Sequence, residues 1–126
     1  MDGPPTPRVA DTSCLYALFD EGDAHHEKAK LEVALPGPLV IPSEVFVETL
    51  GILQSRAGRQ VAKKAKAFLE SLPHAEFTHP TELHEVLAFQ RRHAGLSVVD
   101  AVVVWHCRRL PARAATFDAR IRRLAK

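Results

Sequence analysis

Four acidic residues stand where this sequence would turn from a strand into a helix, or just inside a helix. Each is flanked by apolar sequence, and none has a lysine or arginine as a direct neighbour: Asp11, Glu48, Asp100 and Asp118. Two carboxylates about 5 Å apart repel by roughly 3 kcal/mol at an effective dielectric of about 20. If these acids converge, they need a compensating charge, and Mg²⁺ or Mn²⁺ suits oxygen ligands while leaving positions open for a phosphate.

Three of the acids also have a purely structural explanation. Asp11 and Asp118 are each placed to cap the helix that follows, because a carboxylate accepts the unpaired N–H groups of a first helical turn. Ser97 and Asp100 fit the capping-box spacing, with Ser97 as the N-cap. A cap contributes only about 1 kcal/mol, however, and Ser or Asn would serve equally well. Asp in all of these places favours metal binding over capping alone.

Glu48 lies on a predicted helix from Ser43 to Arg56, with Ser43 as its N-cap. The helix carries a wide apolar arc, and Glu48 falls at the edge of that arc, while Glu44 points further out. A half-buried carboxylate is costly without a partner, although solvation at the rim is an alternative. We therefore expect Glu48 to be functional, with Glu44 as the second choice.

The elements that would position these acids alternate between strand and helix. Short apolar strands are predicted at Val9–Ala10, Leu39–Ile41, Ala75–Thr78 and Ala114–Phe117, and helices are predicted between and after them. This alternation predicts a parallel sheet covered by helices on both faces. Asp11 and Asp118 then follow the carboxyl ends of strands, where ligands bind in such sheets, and the helices carrying Glu48 and Asp100 could start at the same edge.

The bulk composition describes a single domain with an unevenly distributed charge. The 126 residues carry a net charge of only +2, yet basic residues cluster at 56–66 and from 108 to the end. Most basic runs are solvated helix faces, but two in one nearly neutral chain favour a phosphate-rich partner. The candidates for contact with the phosphate backbone of such a partner are Arg56, Arg59, Lys63, Arg108, Arg109 and Arg120.

Other features place the chain in a cellular setting. Cys14 and Cys107 are far apart without metal-binding spacing, which predicts buried free thiols of a cytoplasmic protein. No apolar run approaches the roughly 20 residues of a membrane span. Residues 1–7 read as a flexible Pro-rich lead-in to one domain over 8–126.

The motifs together resemble a PIN domain, specifically the VapC-like toxins of type II toxin–antitoxin systems. The matching pieces appear in the family's order at its approximate spacing and cover nearly all of the chain after residue 7. They are Asp11-Thr12-Ser13, Ile41-Pro42-Ser43 with Glu48 and Leu53, Leu96-Ser97 with Asp100-Ala101, and Thr116-Phe117-Asp118.

This resemblance implies a three-layer α/β/α fold with a short parallel sheet of about four strands. It implies a metal-dependent endoribonuclease in which the four acids are catalytic and hold Mg²⁺ or Mn²⁺, supported by Thr12, Ser13 and Thr116. It also implies a homodimer and a cognate antitoxin that covers the cleft. Local candidates for the antitoxin contact are Leu15, Tyr16, Leu18 and Phe19, of which we expect at least two to be core.

The expected reaction is hydrolysis of RNA phosphodiester bonds by metal-activated water. Asp11 and Asp100 would be the main ligands, while Glu48 and Asp118 would help to hold a second metal or to position the water. The alternative from another class is a catalytically inert PIN-like module that binds RNA or a protein. A receiver domain or an aspartate-nucleophile phosphatase fits poorly, because Ser13 and Thr78-His79 stand where those enzymes need further acids.

Overall fold

The computed structural model describes residues 5–78 and 83–126. Strands and helices alternate along most of this length. The strands are β1 (Arg8–Ala10), β2 (Leu39–Pro42), β3 (Ala75–Thr78) and β4 (Arg113–Ala115). The helices are α1 (Thr12–Leu18), α2 (His26–Ala34), α3 (Ser43–Ala57), α4 (Arg59–Ser71), α5 (Leu83–Arg91), α6 (Val98–Arg109) and α7 (Ala119–Leu124).

The four strands form one parallel sheet in the order β3-β2-β1-β4. Val9 of β1 pairs with Val40 of β2 on one side and with Ala114 of β4 on the other. Because β1 is an inner strand of a parallel sheet, its carboxyl end meets the carboxyl ends of its neighbours at a single edge. The residues that follow β1 and β4 are therefore brought together.

The hydrophobic core lies on the sheet and beneath α6. The strand residues Val9, Leu39 and Ile41 are fully buried, as expected for strands covered on both faces. Helix α6 contributes a continuous apolar run, Ala101–Val104, in which every residue is also fully buried. This burial holds α6 against β1 and so fixes the helix that carries Asp100.

Of the two predicted serine caps, one is confirmed and one is wrong. Ser97 caps α6 as expected, because its Oγ accepts the Asp100 N–H at 3.0 Å. Ser43 does not cap α3: the N-cap is Pro42, which is still paired with Thr78 in the sheet. Strand β2 runs directly into α3, so Ser43 is already helical and its hydroxyl donates to the Glu44 carboxylate at 3.0 Å.

A helix is also predicted from Thr81 to about His93, and its first residues, Thr81 and Glu82, lie outside the described residues. The same holds for residues 1–4 of the lead-in. Cys14 and Cys107 are buried free thiols, as predicted. Burial raises the pKa of each thiol to about 12, so both stay protonated. In the described part of the chain, no helix has the length and apolar character needed to cross a bilayer.

Candidate metal centre

Asp11 lies at the junction where β1 ends and α1 begins, and only 3% of its surface is exposed. It occupies the N-cap position of α1, yet its side chain makes no capping hydrogen bond. The capping interpretation is therefore wrong for Asp11. A buried carboxylate that does not cap its helix needs another reason to be there.

Two hydroxyl groups hold the Asp11 carboxylate through one oxygen. Ser13 Oγ donates to Oδ2 at 2.8 Å, and Thr116 Oγ1 donates to the same atom at 2.7 Å. The hydroxyls are fixed in turn, because the Phe117 N–H donates to Ser13 Oγ at 3.2 Å and the Asp118 N–H donates to Thr116 Oγ1 at 3.0 Å. The arrangement orients Asp11, and neither hydroxyl occupies Oδ1.

The electrostatic setting of Asp11 is unfavourable for its charge. Burial raises the pKa of Asp11 above its ordinary value, and the negative charge of Asp100 raises it further. The hydroxyl bonds from Thr116 and Ser13 and the Thr12 backbone N–H act in the opposite direction but do not cancel the effect of burial. The negative charge of ionised Asp11 is therefore not balanced by these contacts, and a bound cation would balance it.

Asp100 stands in the first turn of α6 and is half-buried. Its backbone N–H completes the Ser97 cap, but that bond leaves the side chain unused. Within the described residues, no hydrogen bond or ion pair engages the Asp100 carboxylate. Because its charge acts on Asp11, these two acids form a pair at the carboxyl edge of the sheet.

Glu48 and Glu44 lie on the first turns of α3, and both are half-buried. Together with Val99, which precedes Asp100, they line a shallow cavity of about 410 Å³. Glu44 accepts the Ser43 hydroxyl and acts on the pKa of His106, whereas the Glu48 carboxylate has no hydrogen-bond or ionic partner in the described chain. The structure therefore leaves Glu48, more than Glu44, available to a ligand beside Asp100.

Asp118 caps a helix, as one of its two interpretations predicted, and it keeps one carboxylate oxygen for the other interpretation, metal binding. Its Oδ1 caps α7 by accepting the Arg120 and Ile121 N–H groups at 2.8 and 3.1 Å. Its own N–H reaches Asp11 through the Thr116 hydroxyl. The cap occupies Oδ1, while Oδ2 takes no part in it.

The acids lie on elements that start at one edge of the sheet, but they do not form a complete binding site. Among the described residues, no three His, Cys, Asp or Glu side chains are grouped closely enough to hold a metal ion. The structure brings Asp11 and Asp100 together, and it places Glu48 and Asp118 on the adjoining elements. The donors are oxygen atoms from carboxylates, which suits a hard cation such as Mg²⁺ that keeps several water ligands.

The supporting residues divide into two kinds, and one contact was missed from the sequence. Ser13 and Thr116 contact Asp11 as described, whereas the buried Thr12 hydroxyl has no partner in the described structure. Thr12 therefore contributes only its backbone N–H.

Arg122 makes a contact that was not predicted from the sequence. It donates to the Thr116 carbonyl at 2.7 Å and so fixes the turn after β4. The sequence held one signal for this contact: Arg122 follows Asp118 by four residues, which places the two side chains on the same face of a helix.

The predicted RNA contacts lie at different distances from the acids. Arg120 is close, because it opens α7 next to Asp118 and donates to the Ala94 carbonyl at 2.6 Å. Asp100 and Arg108 are eight positions apart on α6, which is about 12 Å along a helix axis. The remaining candidates lie around the junction of α3 and α4 or in the last turn of α6: Arg56, Arg59, Lys63 and Arg109.

The apolar residues of α1 are mostly occupied by the fold itself. Leu15 is fully buried in the core. Tyr16 and Phe19 pack against a second cluster formed by α3 and α4, and Leu18 is half-buried against the main core. Of these four residues only Leu15 is fully buried, fewer than the two that we expected, and the other three keep partly exposed surfaces.

Comparison with known proteins agrees with this architecture. The chain is similar in structure to VapC20 of Mycobacterium tuberculosis, a sarcin–ricin loop cleaving toxin, with a TM-score of 0.81 and 29% identity over 90% of this chain and 92% of that chain. It is also similar in fold to PAE2754 of Pyrobaculum aerophilum, with a TM-score of 0.65 and 24% identity over 96% and 87% of the two chains. No curated protein matches the sequence.

The profile of the PIN domain matches residues 8–126. The predicted α/β/α architecture is confirmed by the parallel sheet of β1 to β4 with its flanking helices. The acids, hydroxyls and helix starts described above thus lie at the sheet edge of a known fold, and the chain belongs to the PIN domain family.

Proposed function

We propose that this protein is a metal-dependent endoribonuclease and the toxin of a type II toxin–antitoxin pair. The observation that carries the proposal is the buried Asp11 carboxylate, which does not cap its helix and whose charge is opposed by burial and by Asp100. Family membership and the likeness to VapC20, which cleaves an RNA loop, support nuclease activity on RNA.

In this proposal Asp11 and Asp100 hold Mg²⁺ or Mn²⁺, with Glu48 and Asp118 completing the set of carboxylates. When bound, the cation lowers the pKa of a water molecule and offsets charge on the phosphate. Ser13 and Thr116 keep Asp11 oriented through Oδ2, so Asp11 approaches a ligand without reorganising. Thr12 contributes its backbone N–H.

The RNA would be held by cations outside the acidic edge. Arg120 is the nearest of the predicted contacts, and its side chain is fixed by the Ala94 carbonyl. Arg56, Arg59 and Lys63 would follow the backbone farther away, giving affinity that falls with rising salt. Arg108 and Arg109 stay predictions for the same role.

The partners follow from the same proposal. We propose a homodimer and a cognate antitoxin that covers the cleft and contacts the partly exposed surfaces of Tyr16, Leu18 and Phe19. A cytoplasmic location is proposed with them, since the buried thiols suit a reducing compartment.

The test is cleavage of a structured RNA by wild type, Asp11→Asn and Asp100→Asn in Mn²⁺, with an EDTA reaction beside each. Removing one ligand should lower the rate at least about 100-fold, which corresponds to about 3 kcal/mol of transition-state stabilisation. Glu70→Gln is the matched control, because Glu70 is exposed on α4 and its ion pair in the described structure is with Lys66, also exposed. Equal rates for all four proteins would refute the proposed site.

Asp118 needs a separate pair of variants because it also caps α7. Asp118→Asn keeps an oxygen for the cap but removes the charge, whereas Asp118→Ala removes both. A metal role predicts lost cleavage in both variants and lost stability only in Asp118→Ala.

The second candidate, an inert binding module, is separated by calorimetry. The nuclease proposal requires saturable heat when Mn²⁺ is added to wild type, with a weaker signal from Asp11→Asn. A flat titration at millimolar Mn²⁺ would favour the inert module. The carboxylates of Asp100 and Glu48, which have no partner among residues 5–78 and 83–126, argue for the nuclease, since an inert module has no use for half-buried charges of this kind.

A further inference from the structure

Two aromatic side chains, which we call the ring stack, lie beside the segment that joins β4 to α7. The imidazole of His25 is stacked on the ring of Phe117, with centroids 4.4 Å apart and 12° between their planes. Phe117 stands directly between Thr116, whose hydroxyl donates to Asp11, and Asp118. One ring of the stack is therefore the chain neighbour of a proposed metal ligand and of a residue that supports another.

The backbone of Phe117 is held from both sides. Its N–H donates to Ser13 Oγ at 3.2 Å, and the carbonyl of the same peptide bond, that of Thr116, accepts from Arg122 at 2.7 Å. Ser13 Oγ in turn donates to Asp11. Because a peptide bond is planar and rigid, these two bonds fix the start of the Phe117 side chain relative to the Asp11 carboxylate.

His25 is positioned by its backbone, which leaves its imidazole unused by the fold. The His25 N–H donates to Asp23 Oδ1 and its carbonyl accepts the Ala29 N–H, both at 2.8 Å. His25 is the N-cap of α2, yet its side chain makes no capping bond. The residue is exposed, and in the described part of the chain its ring makes no hydrogen bond or ion pair. The face of the imidazole that does not contact Phe117 is therefore available to a ligand.

A second stacked pair, Phe89 with His93, shows how a structural pair differs. Its centroids are 4.2 Å apart, but Phe89 is buried and the imidazole is hydrogen-bonded to the Phe89 carbonyl at 2.9 Å. The guanidinium groups of Arg92 and Arg108 also lie over the Phe89 ring, at 5.9 and 5.0 Å from its centroid. That pair is enclosed by its neighbours, whereas the ring stack has one exposed member.

The chemistry of the ring stack fits an unpaired nucleobase. Proteins commonly hold single-stranded RNA by stacking its bases on the flat faces of aromatic side chains, including histidine and phenylalanine. The exposed Arg122 adds a positive charge one residue before Phe117, where its guanidinium is fixed by the Thr116 carbonyl. A guanidinium suits the phosphate of the same nucleotide, because it presents several N–H donors in one plane.

We propose that the available face of His25 binds an unpaired nucleobase of the RNA substrate, next to the phosphodiester bond that is cut. His25 and Phe117 are then specificity-determining residues. They favour single-stranded over paired RNA, and purines over pyrimidines, because the larger purine rings stack more strongly. This role rests on the proposed nuclease function, since the place of the base relative to the bond matters only if the bond is cut.

The first experiment measures binding without cleavage, using the full chain in EDTA. The probes are a fluorescent oligoadenylate of about ten nucleotides, within the usual site size for a single strand, and an abasic ribose-phosphate chain of the same length. His25→Ala should weaken binding of the oligoadenylate about tenfold, because one base–aromatic stack is lost, and should leave binding of the abasic chain unchanged. His25→Phe should restore the wild-type affinity, because it keeps a ring face.

The matched control is His84→Ala, because His84 is also an exposed histidine and lies on α5. It should bind both probes like wild type. A duplex of the same length should bind wild type and His25→Ala equally, since its bases are already stacked on one another.

The second experiment follows cleavage in Mn²⁺ and separates this role from the proposed function. Asp11→Asn should lose cleavage of every RNA, whereas His25→Ala should raise KM about tenfold with kcat little changed, the signature of lost substrate binding. Substrates with one abasic residue at successive positions locate the bound base. Wild type should lose affinity for one of them, and His25→Ala should be insensitive at that position.

The outcomes distinguish the two proposals. Cleavage that depends on Asp11 but not on His25 would keep the nuclease and remove the base site. Binding that depends on His25, without cleavage of any RNA, would remove the nuclease and keep the ring stack as a base-binding site.

Three results in the binding experiment would overturn the role of the ring stack. One is equal affinity of wild type for the oligoadenylate and the abasic chain. Another is an equal loss of affinity for both probes in His25→Ala. The third is failure of His25→Phe to restore binding, which would show that His25 does not act by stacking.

Discussion

The two ends of β1 carry two buried charges that the fold treats in opposite ways. Arg8 is 1% exposed, and its guanidinium donates to the Leu35 and Gly37 carbonyls at 3.0 and 3.1 Å and to the Glu32 carbonyl. The Glu32 carboxylate lies 3.4 Å from it. Asp11, 3% exposed, has only neutral donors among the described residues, and the charge of Asp100 acts on it. The fold therefore neutralises the charge of Arg8, whereas no opposite charge in the described chain neutralises that of Asp11.

The largest effect is expected from removing the charge of Arg8, which the fold neutralises. Arg8→Met should lower the free energy of unfolding by about 3 kcal/mol, because breaking a buried ion pair leaves its partners unsatisfied. The partners here are Glu32 and the carbonyls at the end of α2. Urea denaturation measures the loss. Arg113→Met is the control, since Arg113 pairs with the same Glu32 from an exposed position and should cost under about 1 kcal/mol.

The hydroxyls around Asp11 provide the next test. Thr116→Val removes a hydrogen bond to a charged group and should cost about 1.5 kcal/mol at neutral pH. It should also raise the pKa of Asp11 further, because the hydroxyl bond favours the ionised form. Thr12→Val is the matched control, since the Thr12 hydroxyl has no partner in the described structure and its removal should be nearly neutral. Equal losses in the two variants would contradict the assigned contacts.

We expect stabilisation by a bound metal to depend on Asp11 and not on Arg8. At ten times its dissociation constant, Mn²⁺ should stabilise wild type by about 1.4 kcal/mol. The same addition should do little for Asp11→Asn, and it should still stabilise Arg8→Met where that variant folds. Thermal unfolding with and without EDTA reports the difference. Similar shifts in wild type and Asp11→Asn would mean that the metal binds elsewhere.

The smallest expected effect is that of Asp11→Asn on the free energy of unfolding, and its sign is opposite to that of Arg8→Met. Without metal, Asp11→Asn should be more stable than wild type by about 1 kcal/mol at pH 7, because a desolvated charge is removed. The raised pKa of Asp11 gives the pH dependence: the penalty is absent below the unfolded pKa of about 3.9 and develops as pH rises through the folded value. The advantage of the variant should therefore vanish on acidification. A variant less stable than wild type at pH 7 would show that Asp11 is structural.

Much of the fold could be predicted because its signals are local. Each strand is a short apolar run, and Ser97 stands directly before the helix that it caps. Asp11, Glu48, Asp100 and Asp118 could be singled out because each breaks an apolar context. The Ser43 cap failed because the sequence does not show that Pro42 stays in the sheet until the helix begins.

The remainder depends on contacts between distant segments. Arg8 is an ordinary basic residue in sequence, and its burial depends on Glu32, 24 residues away. The support of Asp11 by Thr116 spans 105 residues, and the coupling of Asp11 to Asp100 needs α6 packed on β1. No pattern within one segment contains this information.

The hydrogen bond from Thr116 to Asp11 has a consequence for synthesis of the protein on the ribosome. Chains emerge from the amino end, so the strand that precedes Asp11 is exposed long before β4 has been made. Until Thr116 leaves the exit tunnel, the Asp11 carboxylate lacks one of its two hydroxyl donors and the sheet lacks the neighbour that closes over it. The acidic edge therefore becomes complete only after β4 and Thr116 have left the exit tunnel.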